Sequence, residues 1–98
     1  MRTMMKVTIP VEAGNRGVKE GLLQKTVMAF VEQAKPEACY FSPSHGMRCA
    51  YFFFDLKDSS MMPAFAEPFF MNLNAAVEIS PAMNLEDMKA GLQQASKH

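Results

Sequence analysis

Charge of one sign, cysteine and long apolar runs are all scarce in this sequence. Ten basic residues balance ten acidic ones, giving a formal net charge of zero. A balanced surface lacks the field that attracts polyanions, which argues against a nucleic-acid partner. It also gives an isolated copy little colloidal protection, for which association with a second copy is a remedy. The two cysteines, Cys39 and Cys49, are too few for a secreted disulfide scaffold. No segment approaches the ~20 apolar residues of a membrane span, so no membrane partner is expected. The opening M-R-T-M-M-K-V-T-I-P is interrupted by Lys6 and Thr8, which removes the apolar stretch of a signal peptide. A cytoplasmic protein with reduced thiols is the expectation. Neither a strand-flanked G-x-G-x-x-G nor a lysine-bearing phosphate loop occurs, and no motif calls for a cofactor.

What the sequence does have is apolar material: 49% of its 98 residues, enough for the core of a single domain spanning residues 1–98. Ten of those residues are methionines; with no His–Met or Cys–Met cluster at a ligand spacing, they read as flexible core filler and no metal site is expected. The most apolar stretch is Arg48–Leu56, R-C-A-Y-F-F-F-D-L. At period two, Ala50, Phe52, Phe54 and Leu56 point one way and Cys49, Tyr51, Phe53 and Asp55 the other. A strand apolar on one face and aromatic on the other belongs at the centre of a sheet.

Around it the chain alternates between two periods. Met4–Val11 reads as a first strand with Met5, Val7 and Ile9 on one face, and Gly14-Asn15 as a turn with Asn15 as N-cap. Arg16–Lys35 reads as a helix with a stripe of Leu23, Val27, Phe30, Val31 and Ala34, closed by Pro36. Glu37–Ser42 and Met47–Leu56 form a hairpin around Pro43-Ser44-His45-Gly46. Lys57-Asp58-Ser59-Ser60 starts a second helix that buries Met62, Phe65, Ala66 and Phe69 and ends or kinks near Glu67, before Pro68. Ala75–Ser80 is a fourth strand. Asn84 and Asp87 then cap a final helix with the stripe Leu85, Met88, Leu92 and Ala95.

Strand, helix, strand, strand, helix, strand with an added helix predicts an α+β fold. The expectation is a ferredoxin-like βαββαβ with a four-stranded antiparallel sheet and a C-terminal helix. Both crossover helices would cover the face of Met5, Val7, Ile9, Ala50, Phe52, Phe54, Val77 and Ile79. The other face would carry Lys6, Thr8, Cys49, Tyr51, Phe53, Asp55 and Glu78, with Tyr40 or Phe41 according to hairpin register. Its central rings form an apolar patch of the kind that marks an interaction site, and an isologous homodimer through this face is expected.

In element order and pattern, down to V-E-I-S-P-A-M-N-L-E-D-M (Val77–Met88), the chain resembles the dimeric α/β-barrel superfamily. That group includes antibiotic-biosynthesis-type monooxygenases, muconolactone-isomerase-like proteins and stress-responsive barrels. The resemblance implies two ferredoxin-like protomers joined sheet to sheet, with cofactor-independent oxygenase or isomerase activity as one possibility. The monooxygenases often use a tryptophan near the cavity; this chain has none, so no catalytic residue is carried over.

Candidate binding residues follow from the pattern. Tyr51 and Phe53 can stack on a flat ligand or form dimer core. Lys6, Asp55 and Glu78 on the same face offer either a perturbed carboxylate or a structural ion pair. Tyr40 joins them in one hairpin register. His45 is either a solvated turn residue or, with Arg48, half of an anion site. Cys39 and Cys49 can face each other only with an odd-numbered hairpin loop. The function expected is binding of a small apolar or aromatic ligand, in a pocket between sheet and helices or inside the dimer barrel. RNA recognition is disfavoured. Against the stacking motif K/R-G-F/Y-G/A-F-V-x-F/Y, Cys49 and Tyr51 replace glycines and Ala50 replaces a ring. A ligand-free interaction domain is the third alternative.

Overall fold

The computed structural model describes residues 1–97. It is an α+β fold in which four antiparallel strands form one open sheet. The elements run β1 (Arg2–Ile9), α1 (Val11–Glu20), α2 (Leu22–Ala34), β2 (Ala38–Phe41), β3 (Arg48–Asp55), a 3₁₀ turn (Ser59–Met61), α3 (Met62–Leu73), β4 (Ala76–Pro81) and α4 (Leu85–Ser96). The strand order is β2-β3-β1-β4, with every neighbouring pair antiparallel. This arrangement is compatible with the split βαβ topology expected from the sequence.

The core lies on one face of the sheet. Met5 and Val7 of β1 and Phe52 and Phe54 of β3 are buried there, under Phe30 of α2 and Phe65, Phe69 and Leu73 of α3. Phe30 is the hub. Its ring centroid lies 4.7 Å from Phe52, 5.3 Å from Phe54, 5.5 Å from Phe65 and 5.9 Å from Phe69. Most of these pairs are edge-to-face, the geometry in which the positive ring edge meets a negative ring face. Beside the cluster, Asn72 Nδ2 donates to Thr26 Oγ1 (3.1 Å), which itself donates to the Leu22 carbonyl, so the α2–α3 contact has a satisfied polar clasp.

The first strand runs Arg2–Ile9 and not Met4–Val11, and three further boundaries differ from the sequence expectation for physical reasons. The first helix begins at Val11, directly after Pro10, and Gly14-Asn15 lies inside it and makes no turn. The buried side of α1 is Ala13, Gly14 and Gly17, small residues that leave no apolar stripe to read. The expected single helix is two, because Gly21 takes a left-handed conformation (φ 75°) that ends α1 and starts α2. The helix α3 runs through Pro68 to Leu73. Pro68 removes the bond to the Ala64 carbonyl, but both residues are exposed, where water can serve that carbonyl. Buried Phe65 and Phe69 hold the turns on either side.

At the C-terminal end the sequence cue is realised. Asn84 Oδ1 accepts from the Asp87 N–H (2.8 Å) and Asp87 Oδ2 accepts from the Asn84 N–H (3.0 Å), a reciprocal capping box. Arg2 anchors this helix start, donating from Nη1 to Asp87 (2.8 Å) and from Nε to Glu37 (3.0 Å). Yet α4 has no buried residue, and Leu85 and Leu92 are both about 60% exposed. The helix projects, and the radius of gyration is 15.4 Å, against the roughly 12.5 Å of a compact chain this long. None of the described helices is long and apolar enough to cross a membrane.

If Phe30 organises the core, Phe30→Ala will lower unfolding free energy by roughly 3–5 kcal/mol. Urea denaturation followed by circular dichroism measures this; a loss below about 1 kcal/mol, the level of a typical surface-to-average change, would displace Phe30 from that role.

Candidate functional site

The strand register sorts the candidate residues onto two sides of the sheet. On the side without helices, Tyr51 lies between Lys6 of β1 and Tyr40 of β2, while Phe53 lies between Met4 and Ala38. Tyr40 takes this face and Phe41 the helix-covered one, because Tyr40 pairs with Tyr51 and Phe41 with Ala50. Tyr51 and Phe53 are half-buried by their neighbours and Tyr40 is 64% exposed. Lys6 chooses Glu78 over Asp55. Its Nζ is 4.0 Å from Glu78 Oε2 and 5.9 Å from the Tyr51 ring centroid. With Glu78 exposed, this is a loose surface pair that contributes little.

Asp55 stands apart at the end of β3. The Met1 amino group, 2.6 Å from Oδ1, donates to its carboxylate and holds its pKa below the usual range. A carboxyl held ionised in this way is not a proton donor at neutral pH. His45 occupies the tip of the hairpin. Ser44 and Met47 bridge across it, and His45 (φ 54°) and Gly46 (φ 76°) are both left-handed, the conformation of a two-residue type I′ turn. The His45 ring has Ser44 Oγ 3.2 Å from Nδ1. The Arg48 side chain turns instead to Asn15, to whose Oδ1 its Nη2 donates at 3.2 Å.

That even-numbered loop also fixes the cysteines. Cys39 is opposite Phe52 on the helix-covered face, and Cys49 packs beside Thr8 on the other, with Sγ 3.7 Å from Oγ1. Both thiols are free, and burial pushes the Cys39 thiol pKa up. Among the described residues no three His, Cys, Asp or Glu side chains converge into a metal site.

An apolar cavity lies on the helix-covered side, away from the rings of the open face. It has a volume of about 230 Å³ and is lined by Ile9, Leu23, Val27, Phe41, Ala50 and Phe69, with Pro43, Arg48 and Cys49 at the β2–β3 end. Ala50 creates it. A methyl group stands there between Arg48 and Phe52 on the same face of β3, while Phe52 and Phe54 fill the rest of the interface with α2 and α3. The walls are almost wholly apolar. Of the candidates read from sequence, Arg48 alone belongs to this hollow. The helical stripe already carried Leu23 and Val27, and the β-strand alternation carried Ile9 and Ala50. What the sequence did not signal is that Ala50 would leave them unfilled.

Compared with models of known protein families the chain matches none, and no curated protein matches it significantly. The residues themselves therefore carry the functional reading.

The register predicts two free thiols in protein purified without reductant, the buried Cys49 reacting slowly with a disulfide reagent until urea is added and the partly exposed Cys39 reacting sooner. Thiolate formation at Cys39 should set in at higher pH than in free cysteine, since burial disfavours the charged form. Mass spectrometry that finds an intramolecular Cys39–Cys49 bond would contradict the register.

Proposed function

We propose that this chain is a ferredoxin-like protomer of the dimeric α/β-barrel type that binds a small apolar ligand between its sheet and helices. The observation that carries the binding reading is the apolar cavity of about 230 Å³ bounded by β1, β2, β3, α2 and α3. An apolar hollow open on one side gains free energy when an apolar ligand removes its walls from water. The site belongs to the protomer, on the opposite side of the sheet from the proposed partner.

Dimerisation through the open face is supported by what a single copy leaves uncovered. Tyr40, Tyr51, Phe53 and Met4 present apolar area there, and α4 adds a second unburied stripe of Leu85, Met88 and Leu92. Four strands of 8, 4, 8 and 6 residues, about 4.8 Å apart and ~3.3 Å per residue, cover roughly 400 Å². A stable interface buries about 800 Å² per partner. The sheet face alone falls short, and a projecting helix ~18 Å long, laid along the second copy, supplies the remainder. The same chain thus contributes both a flat aromatic face and the arm that extends it.

Sedimentation equilibrium at micromolar concentration should give twice the mass of the chain, and Phe53→Glu should give the mass of one copy. A monomer in the unsubstituted protein would remove the dimer. Binding is read separately with the neutral dye N-phenyl-1-naphthylamine, whose fluorescence rises in apolar surroundings. Val27→Phe, which fills the cavity, should abolish the rise, while Phe53→Glu should keep it; thermal melts by circular dichroism check that both variants fold. The reverse pattern would place the ligand on the open face.

A further inference from the structure

The cavity has one charged residue at its rim. Arg48 opens β3, pairs with Ile9, and sits on the helix-covered side of the sheet. Its side chain folds back over the first turn of α1: Nη2 donates to Asn15 Oδ1 at 3.2 Å. The guanidinium lies so close to Gly14 that a Cβ there would be 2.5 Å from Nη1 and 3.2 Å from Cδ. The absence of a side chain at Gly14 is what lets it rest in this position. Among the described residues Arg48 pairs with no carboxylate, although ion pairs elsewhere engage Arg2, Lys6 and Lys89. A guanidinium carries five N–H donors in a planar fork, and protein accepts from one nitrogen.

From this juxtaposition of an unpaired guanidinium with an apolar hollow, we infer that the ligand is a small amphipathic carboxylate, its tail in the cavity and its head on Arg48. This rests on the ligand-binding reading above and adds the chemistry of the head group. The hollow is almost devoid of polar wall, so it rewards a hydrocarbon or aryl body. Among the described lining residues Arg48 alone is charged. Its stem forms part of the rim and its guanidinium lies beyond, over α1, where its fork can meet the two oxygens of a carboxylate that protrudes from the hollow. Volume limits the body: 230 Å³ holds about eight non-hydrogen atoms at the ~30 Å³ each occupies in a condensed phase. Medium-chain fatty acids and arylalkanoic acids have this form.

The test is displacement of N-phenyl-1-naphthylamine by octanoate and by octanol at pH 7.5 and low salt. Octanol is the more apolar of the two, so the cavity by itself would favour it. The expected result is that octanoate displaces the dye at a concentration at least about tenfold lower, the scale of a charge-assisted hydrogen bond. Arg48→Met should erase that advantage and leave octanol unchanged, and Arg48→Lys should keep part of it. Gly14→Ala, which pushes the guanidinium from its seat without removing the charge, should also reduce the preference. Equal potency of the two ligands, or equal weakening of both by Arg48→Met, would overturn the carboxylate assignment while leaving apolar binding intact. Displacement by neither, with the dye itself unbound, would overturn both readings.

Discussion

The contact on which the rest of this structure depends is the seating of Phe30 among Phe52, Phe54, Phe65 and Phe69. One ring from α2 touches two residues of the central strand and two of α3, so a single side chain joins three elements remote in sequence. Its location on one side of the sheet commits both crossover helices to that side. The alternate residues of β3, Tyr51 and Phe53, are thereby left on a face without helices. A cluster of five phenylalanines is rigid in shape but not in coverage. Where the strand changes from Phe52 to Ala50, the rings stop and a hollow begins.

Two unsatisfied surfaces follow from that one choice. The open sheet face and the exposed stripe of α4 are both apolar, both on the same chain, and neither is covered by it. One end of the sheet is meanwhile tied down by polar contacts. Arg2 bridges Glu37 and Asp87, and Asp58 caps the 3₁₀ turn through the Ser60 N–H. Polar groups are spent on fixing where elements begin, and among the described residues no buried side-chain nitrogen or oxygen is left without a partner. The proposed second copy and the proposed ligand then occupy opposite sides of one sheet. Ligand binding and dimerisation can vary independently.

Much of the fold was legible because its periods are clean. The alternation in Met5, Val7 and Ile9, in Ala50, Phe52 and Phe54, and in Val77 and Ile79 gives the buried face residue by residue. The Asn84–Asp87 spacing gives a helix start to the exact residue. What was hidden lacks a hydrophobic signature. The packed side of α1 is alanine and glycine, so the helix could not be told from a turn, and the break at Gly21 looks in sequence like a weak point within one helix. Pro68 does not end α3, which runs on to Leu73 with Ala64 and Pro68 both exposed. The candidate residues gathered on the open face were read correctly as a face, yet the hollow lies behind them. A cavity is a mismatch of volumes, and only the three-dimensional packing of Ala50 against Leu23 and Val27 makes that mismatch visible. Arg48 was noticed for its place beside His45, but its companion is Gly14, more than thirty residues away in sequence.

The measurement that bears most directly on this account is methyl-resolved NMR of the protein titrated with a neutral aromatic such as naphthalene. The account predicts shifts at the methyl groups of Ile9, Leu23 and Val27, which line the space between sheet and helices, and none at Met4 across the sheet. Shifts confined to Met4, with Ile9, Leu23 and Val27 unmoved, would contradict it and put the ligand on the aromatic face.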